Sequence, residues 1–412
     1  MGRVMRWAVL ACVCLTTACR SRGHREAWAE PPGSRDPLEF ADSPLTFETR
    51  LPVVQARVEP FALPLGDDVD DARLSPRGWV GTSSSIKGDV LTGHALVERP
   101  GTDKPAVAAS VEEAWLYLRP APKDVYVHFY VHRENYDKDG DAWMTRIDGS
   151  RAVRVPGAPD AEWFADTPAG LRAGRHDIIN REYRWQLYAV GKKEFRPLGE
   201  EHRNEMMFGL VAPPGELLVA AGKADMSSHA PMDAQVRAVM DLVGKGDGRA
   251  AARLGGRPRG YLLHMTTDGE LVSEEPFPEQ RPEGIALTDD GWIVVLGGGT
   301  LARALKDCMV VTRKATEARK DPGPWRVLAQ DLVTPSHLIQ RGGWVCFDEN
   351  TDHDSAVHCL NPGRRLHVVS PRVNAATLYD IDLRGQPRAI FRQGLDLRGS
   401  PDKPRAMAMS LP

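Results

Sequence analysis

Pro282-Glu283-Gly284-Ile285-Ala286-Leu287-Thr288-Asp289-Asp290-Gly291-Trp292-Ile293 and Thr334-Pro335-Ser336-His337-Leu338-Ile339-Gln340-Arg341-Gly342-Gly343-Trp344-Val345 decide how the chain is built. Each reads as a strand, a tight glycine turn and a second strand opening on Trp. The two copies lie 52 residues apart, and Gly78-Trp79-Val80 precedes Gly291-Trp292-Ile293 by 213, close to four such steps. A step of that length holds several short strands, so it corresponds to one four-stranded blade that buries its faces only against neighbouring blades. Gly209-Leu210-Val211 to Leu217-Leu218-Val219 has the same shape without the Trp, and Tyr183-Arg184-Trp185-Gln186-Leu187 is a further candidate member.

The rest of the chain agrees with a turn-rich, all-β body. Its 412 residues are 42% hydrophobic and 26% charged, which excludes disordered and fibrous classes. Gly and Pro, 38 and 32 residues, make about 17% of the chain and supply turns. From residue 50 onward, β-rich runs alternate with Gly, Pro, Asp and Asn clusters. The expectation is a β-propeller of about six blades with one short helical insertion. The alternative is an N-terminal β-sandwich over 45–200 plus a smaller β-domain. The insertion is Asp233 to Val243, where Val236, Val239, Met240 and Val243 fall at helical spacing before Gly244. The C-terminal run Pro404 to Met409 reads as an inner strand that closes the ring against the first blade around Leu74 to Thr82. Residues 205–412 resemble the loosely defined gluconolactonase, NHL and phytase-like propellers.

The N-terminus is an address. Arg3 and Arg6 precede an apolar run from Trp7 to Ala18, too short to span a bilayer. It ends in Leu15-Thr16-Thr17-Ala18-Cys19, which resembles the lipobox of bacterial lipoproteins, although Thr16 stands where that family has Leu. The resemblance implies removal of residues 1–18 and diacylation of Cys19; ordinary secretion with a chance cysteine is the alternative. Residues 19–44, with Arg20, Arg22, Arg25, Pro31, Pro32 and Pro44 and no apolar periodicity, read as a lipidated flexible tether, and 45–412 as the body. Arg20 after the lipidated cysteine favours the outer membrane by resemblance to enterobacterial sorting. The expected location is therefore the bacterial cell envelope, with the membrane as one partner through the lipid anchor. The net charge of −3, from 53 basic and 56 acidic residues, points away from nucleic acid.

Of six cysteines, Cys12 and Cys14 leave with the signal and Cys19 carries lipid. Cys346 and Cys359 flank the polar turn Asn350 to Ser355 at mirrored positions, predicting a cross-strand disulfide in an oxidising compartment and leaving Cys308 buried. Three reduced core cysteines are the alternative.

The sharpest local motif is Asp137-Lys138-Asp139-Gly140-Asp141-Ala142-Trp143-Met144-Thr145-Arg146-Ile147-Asp148. Asp137, Asp139, Asp141, Thr145 and Asp148 repeat the oxygen spacing of an EF-hand loop, which it resembles over twelve residues. Ala142 replaces the usual glycine and Asp148 the longer Glu. Its flank Val125 to Val131 is β-branched and aromatic, so the loop joins strands. It is a candidate site for calcium or another divalent metal, against the plain reading of a solvated acidic hairpin. Glu283 is a second metal candidate: in the resembled propellers, a Glu opening an inner strand holds a channel metal that activates water. Asp352, His353, Asp354 and His358 match no metal-site spacing. Nucleophile-elbow, H-E-x-x-H and P-loop motifs are absent from the sequence. Two functions follow as expectations. One is an anchored binding or assembly module for a protein or small-molecule ligand. The other is a divalent-metal-dependent hydrolase of lactonase or phosphoesterase type using the channel.

Overall fold

A computed structural model describes Leu45–Thr46 and most of 51–131, 143–148, 151–155, 161–223, 259–276, 281–298, 308–315, 323–394 and 404–412. Among the described residues the strands form seven antiparallel blades of consecutive strands, at 71–112, 114–155, 163–203, 205–276, 281–332, 335–369 and 376–410. Their inner strands are Asp71–Ser75, Ala114–Pro120, Trp163–Thr167, Glu205–Val211, Arg281–Leu287, Pro335–Arg341 and Ala376–Asp382. Each touches the next, and the seventh touches the first, so the ring closes. The all-β propeller expected from the sequence is present. Blades at 71–112, 114–155, 163–203, 335–369 and 376–410 are shorter than the 52-residue step, and the ring holds seven.

Seven hydrophobic clusters correspond to the seven junctions between blades. Between blades 5 and 6, for example, Val294, Val310, Val345, Phe347 and Leu360 meet. Between blades 7 and 1, Tyr379, Ile390, Ala72 and Trp79 meet. A middle strand therefore faces a core on both sides. Trp344–Asn350 accordingly reads as an almost unbroken buried run, whereas the outer strand Phe195–Arg203 is mostly exposed. The Gly-Trp steps at 78, 291 and 343 all open the second strand of a blade. The turns before them need left-handed backbone, φ +80° at Gly291 and +59° at Gly342. Trp185, by contrast, lies on the third strand of blade 3, so Tyr183 to Leu187 is not an equivalent member.

Two corrections concern the N-terminal half and the C-terminal strand. Residues 71–203 build blades 1 to 3, not a sandwich. The C-terminal strand Arg405–Ser410 is the third strand of blade 7 and pairs with Arg388–Gln393 and with β3 (Val58–Pro60), not with Leu74 to Thr82. Proline at 60 suits this outer position, where its missing N–H is harmless. Two further N-terminal strands precede it: β1 (Leu45–Thr46) runs parallel to the outer strand of blade 5, and β2 (Val53–Gln55) runs parallel to that of blade 6. The N-terminal segment thus laces blades 5, 6 and 7 along their outer edges. The helix expected at Asp233 to Val243 lies outside the described residues, and no helix occurs among those described.

Alternating direction within each blade and short links such as 203–205 make every inner strand start at the same rim of the ring. β1 sits beside Trp325–Arg326, the beginning of an outer strand that starts at the opposite rim. The chain therefore enters the body on the rim away from the inner-strand starts.

Candidate functional site: the channel wall of blades 6, 7 and 1

Three carboxylates organise this wall. Asp348, fully buried on the second strand of blade 6, accepts from His337 Nδ1 at 2.7 Å, from Leu378 N at 2.9 Å and from Ser336 Oγ. Asp380, fully buried on the inner strand of blade 7, accepts from Leu74 N at 2.7 Å, from Ile381 N at 2.7 Å and from Arg341 Nε and Nη2 at 2.6 and 2.7 Å. Arg341 also donates to Leu74 O, so it reaches from blade 6 past blade 7 to blade 1. Asp71, the first residue of blade 1, accepts from Ala72 N at 2.8 Å and from Arg73 Nη1 at 2.5 Å. Each carboxylate replaces water with hydrogen bonds, and those of Asp348 and Asp380 tie neighbouring strands together.

The strands create this convergence through local irregularity. A bulge between Ser336 and Ile339 puts His337 in left-handed backbone at φ +52° and turns its ring onto Asp348. Another bulge, between Leu378 and Asp380, accompanies the turn of Asp380 toward blade 1. His337 keeps 46% of its side chain exposed, unlike its partner. The hydrogen bond to Asp348 raises the His337 pKa above the ordinary imidazole value, so the ring carries charge further into neutral pH. Asp71 and Arg73 are close enough to act on it electrostatically. Burial outweighs the pull of Arg73 and pushes the Asp71 carboxyl up. Arg73 is only 8% exposed; its Nη1 also reaches Tyr379 O at 2.6 Å, but its buried Nε has no hydrogen-bond partner among the described residues. The arrangement can hold a protonated imidazole beside a buried guanidinium at the rim where inner strands start.

Two other clusters join blades or strands away from this wall. His264 bridges Glu216 at 3.1 Å and Glu275 at 3.3 Å, and Glu275 clasps Arg313 of blade 5 at 2.5 and 2.6 Å. The two glutamates raise His264 to about 9. Donors from His264, Arg313 and Trp325 overcome burial and hold Glu275 at about 2. In blade 6, Glu349 receives His358 Nε2 at 3.2 Å and Arg372 Nη2 at 2.7 Å, and His358 Nδ1 meets His367 Nε2 at 3.1 Å. Burial lowers His367 to about 4.

By sequence the chain stands apart: no protein family matches it, and no curated protein does. Solved structures match its fold. TolB from Acinetobacter baumannii is 8% identical with a TM-score of 0.38, over 74% of this chain and 64% of that one. The chain therefore spans somewhat less than two thirds of TolB. The β-propeller domain of the Trilobed protease from Pyrococcus furiosus is 10% identical with a TM-score of 0.44, over 80% and 91%. The polysaccharide lyase Uly1 is 10% identical with a TM-score of 0.44, over 85% and 90%. These likenesses concern fold alone.

The residues singled out in the sequence are distributed differently. Asp137, Asp139 and Asp141 lie outside the described residues; Thr145 and Asp148 lie on Trp143–Asp148, which pairs with Val125–Val131. That motif does connect two strands. Glu283 is half-buried at a bulge between Pro282 and Gly284 in the inner strand of blade 5 and has interactions of its own. Among the described residues no group of three or more His, Cys, Asp and Glu is set to hold a metal. Cys346 and Cys359 face each other across adjacent strands, Cα atoms 4.1 Å apart, and are joined as a disulfide; Cys308 is buried outside it. Cys19 lies outside the described residues. Sequence reasoning missed His337, Asp348, Asp71 and Arg73. Their one local signal is a His directly before Leu338 in the repeated strand, where blade 5 has Ile285 and no histidine nearby.

Proposed function

We propose that this chain is a bacterial envelope lipoprotein, acylated at Cys19 and tethered through residues 20–44, whose propeller is a binding or assembly module. The observation that carries the reading is the entry of the chain at β1, on the rim away from the inner-strand starts. The tether then joins the body at the rim opposite His337 and Asp71, which leaves their end of the channel clear of the attachment. The tether residues and the lipobox-like Leu15 to Cys19 supply the anchor, and the propeller is a fold compatible with binding.

Labelling with a radioactive fatty acid in a bacterial host tests the anchor: the wild-type chain takes up label and a Cys19→Ser chain does not. Uptake unchanged by Cys19→Ser, or no uptake at all, overturns lipidation there. Crosslinking in intact envelopes tests the module: a discrete adduct is expected from the wild-type chain. Hydrolysis of lactones or phosphate esters, lost together with one bound divalent ion in Glu283→Ala, would replace the binding reading with the hydrolase. A structural Ca²⁺ at Asp137, Asp139, Asp141, Thr145 and Asp148 is a separate proposal. Calcium is expected to raise the melting temperature, and Asp137→Ala with Asp139→Ala to abolish the rise; a melting temperature indifferent to chelator overturns it.

A further inference from the structure

We propose that the channel wall between blades 6 and 1 binds a small molecule bearing a carboxylate or phosphate group, with His337 as the direct donor and the Arg73 guanidinium beside it. The inference rests on taking this end of the channel as the binding face. It begins from what is already committed. Asp380 accepts four hydrogen bonds, three of them from neighbouring strands, and Asp348 accepts at least three. These two carboxylates have little capacity left for a cation. The open capacity belongs to donors. His337 Nδ1 is spent on Asp348, which leaves Nε2 on a ring that is nearly half exposed. Arg73 Nε is buried without an acceptor.

Both features carry a cost in the empty site. A buried, unanswered N–H loses its hydration and gains nothing. Left-handed backbone at a non-glycine residue is uncommon and tends to persist where function over-determines it. An anion accepts from the exposed His337 Nε2, while the buried Arg73 guanidinium beside it acts through its charge. The third neighbour, Asp71, would repel such a ligand when ionised. Its pairing with Arg73 Nη1 at 2.5 Å engages that carboxylate and reduces the repulsion. The buried Asp348 keeps the Nδ1 proton in place, so Nε2 donates only when His337 is protonated.

The groups facing His337 are Asp348, Asp71 and Arg73, and two of the three favour its charge. Ligand affinity should therefore be high below the raised His337 value and fall as pH rises through it. The test uses the complete chain carrying Cys19→Ser, so that neither membrane nor partner protein is needed. Inorganic phosphate and, separately, acetate are titrated calorimetrically at low ionic strength, at pH 6 and pH 9. Saturable one-to-one binding is expected, at least tenfold weaker at pH 9. His337→Gln should weaken binding at pH 6 at least tenfold in a chain that still unfolds in one cooperative transition. His337→Lys, which keeps a cation, should retain binding and lose most of the difference between pH 6 and pH 9. Absence of saturable binding of both anions overturns the proposal. So does equal affinity in wild type and a folded His337→Gln chain. Either failure removes the ligand class and leaves the module itself to the crosslinking result.

Discussion

Blades 5, 6 and 7 differ from blades 1 to 4 in what seals their outer edges. Blades 1 to 4 are each four consecutive strands joined locally. Blades 5 and 6 each gain a fifth, parallel strand from the N-terminus, and blade 7 obtains its fourth strand only from there. The same segment contributes Leu51 to the core between blades 5 and 6, Ala56 and Val58 to the next, and Leu63 and Leu65 to the one between blades 7 and 1. Blade 6 adds the disulfide and a set of buried polar residues that includes Asp348, Glu349, His358 and His367. One half of the ring is thus secured by neighbours in sequence, the other by contacts that span nearly the whole chain. An open β edge is a site for mispairing, and the lacing covers three of them.

Removing residues 45–60 should have the largest effect, because it deprives blade 7 of its outer strand and two cores of apolar side chains. Calorimetry should show a melting temperature lowered by more than about 10 °C, given about 2–4 °C per kcal/mol in chains of this order. An unchanged transition would mean that the laced half closes without its lace. Next in size is Asp348→Ala, which leaves the buried N–H of Leu378 without its acceptor and takes the partner of His337 and Ser336 away. Loss of about 3–5 kcal/mol is expected in urea denaturation. By contrast, Glu162→Ala on the unlaced side removes only partly exposed ion pairs at 3.6 Å to Arg119 and His176 and should cost less than about 1 kcal/mol. Equal losses would erase the distinction between the two halves.

Opening Cys346–Cys359 with reductant should cost about 3 kcal/mol, the usual effect of a crosslink closing a loop of this size, 13 residues in sequence. The comparison with Cys346→Ala and Cys359→Ala together, which reductant should no longer affect, isolates the bridge. The smallest effects are in the pH profile. Glu275 is held at about 2, below its unfolded value, so its contribution is complete above about pH 4.5 and declines as pH falls toward 2. His264, raised to about 9, contributes fully below about pH 6.5 and loses that contribution as pH rises toward 9. The clasp between blades 4 and 5 is therefore strongest between those limits. His367 in blade 6 is lowered to about 4; unfolding lets it take up a proton, so stability falls as pH drops from about 6.5 to 4. Melting curves across pH should show the His367→Gln chain flatter over that acid interval and the Glu275→Gln chain flatter below it. Identical acid limbs in all three would contradict both assignments.

How much of this could be read from the residues follows the same division. The repeat was legible because the Gly-Trp step occupies the same place in blades 1, 5 and 6, and its 213-residue interval does span four blades. The register of Cys346 with Cys359 was legible because a hairpin mirrors positions about its turn. Closure was not: Val58-Glu59-Pro60 is three residues with no periodicity to display, and its partner is at the other end of the chain. The channel wall was hidden for a similar reason. Asp380 meets Leu74 across 306 residues, and nothing near either residue marks the other. The buried carboxylates Asp348 and Asp380 are fastenings between strands.

The pairing of Val58–Pro60 with Met407–Met409 also fixes a timetable. These strands are separated by about 350 residues, and contacts of such sequence separation form late because loop closure precedes any gain. A chain synthesised from its N-terminus therefore makes one half of its final rivet first and the other half last. Until then blade 7 has a bare edge, and the earlier blades form an open arc. The interval between synthesis of Val58 and arrival of Met409 is when such a chain is most exposed to aggregation and proteolysis.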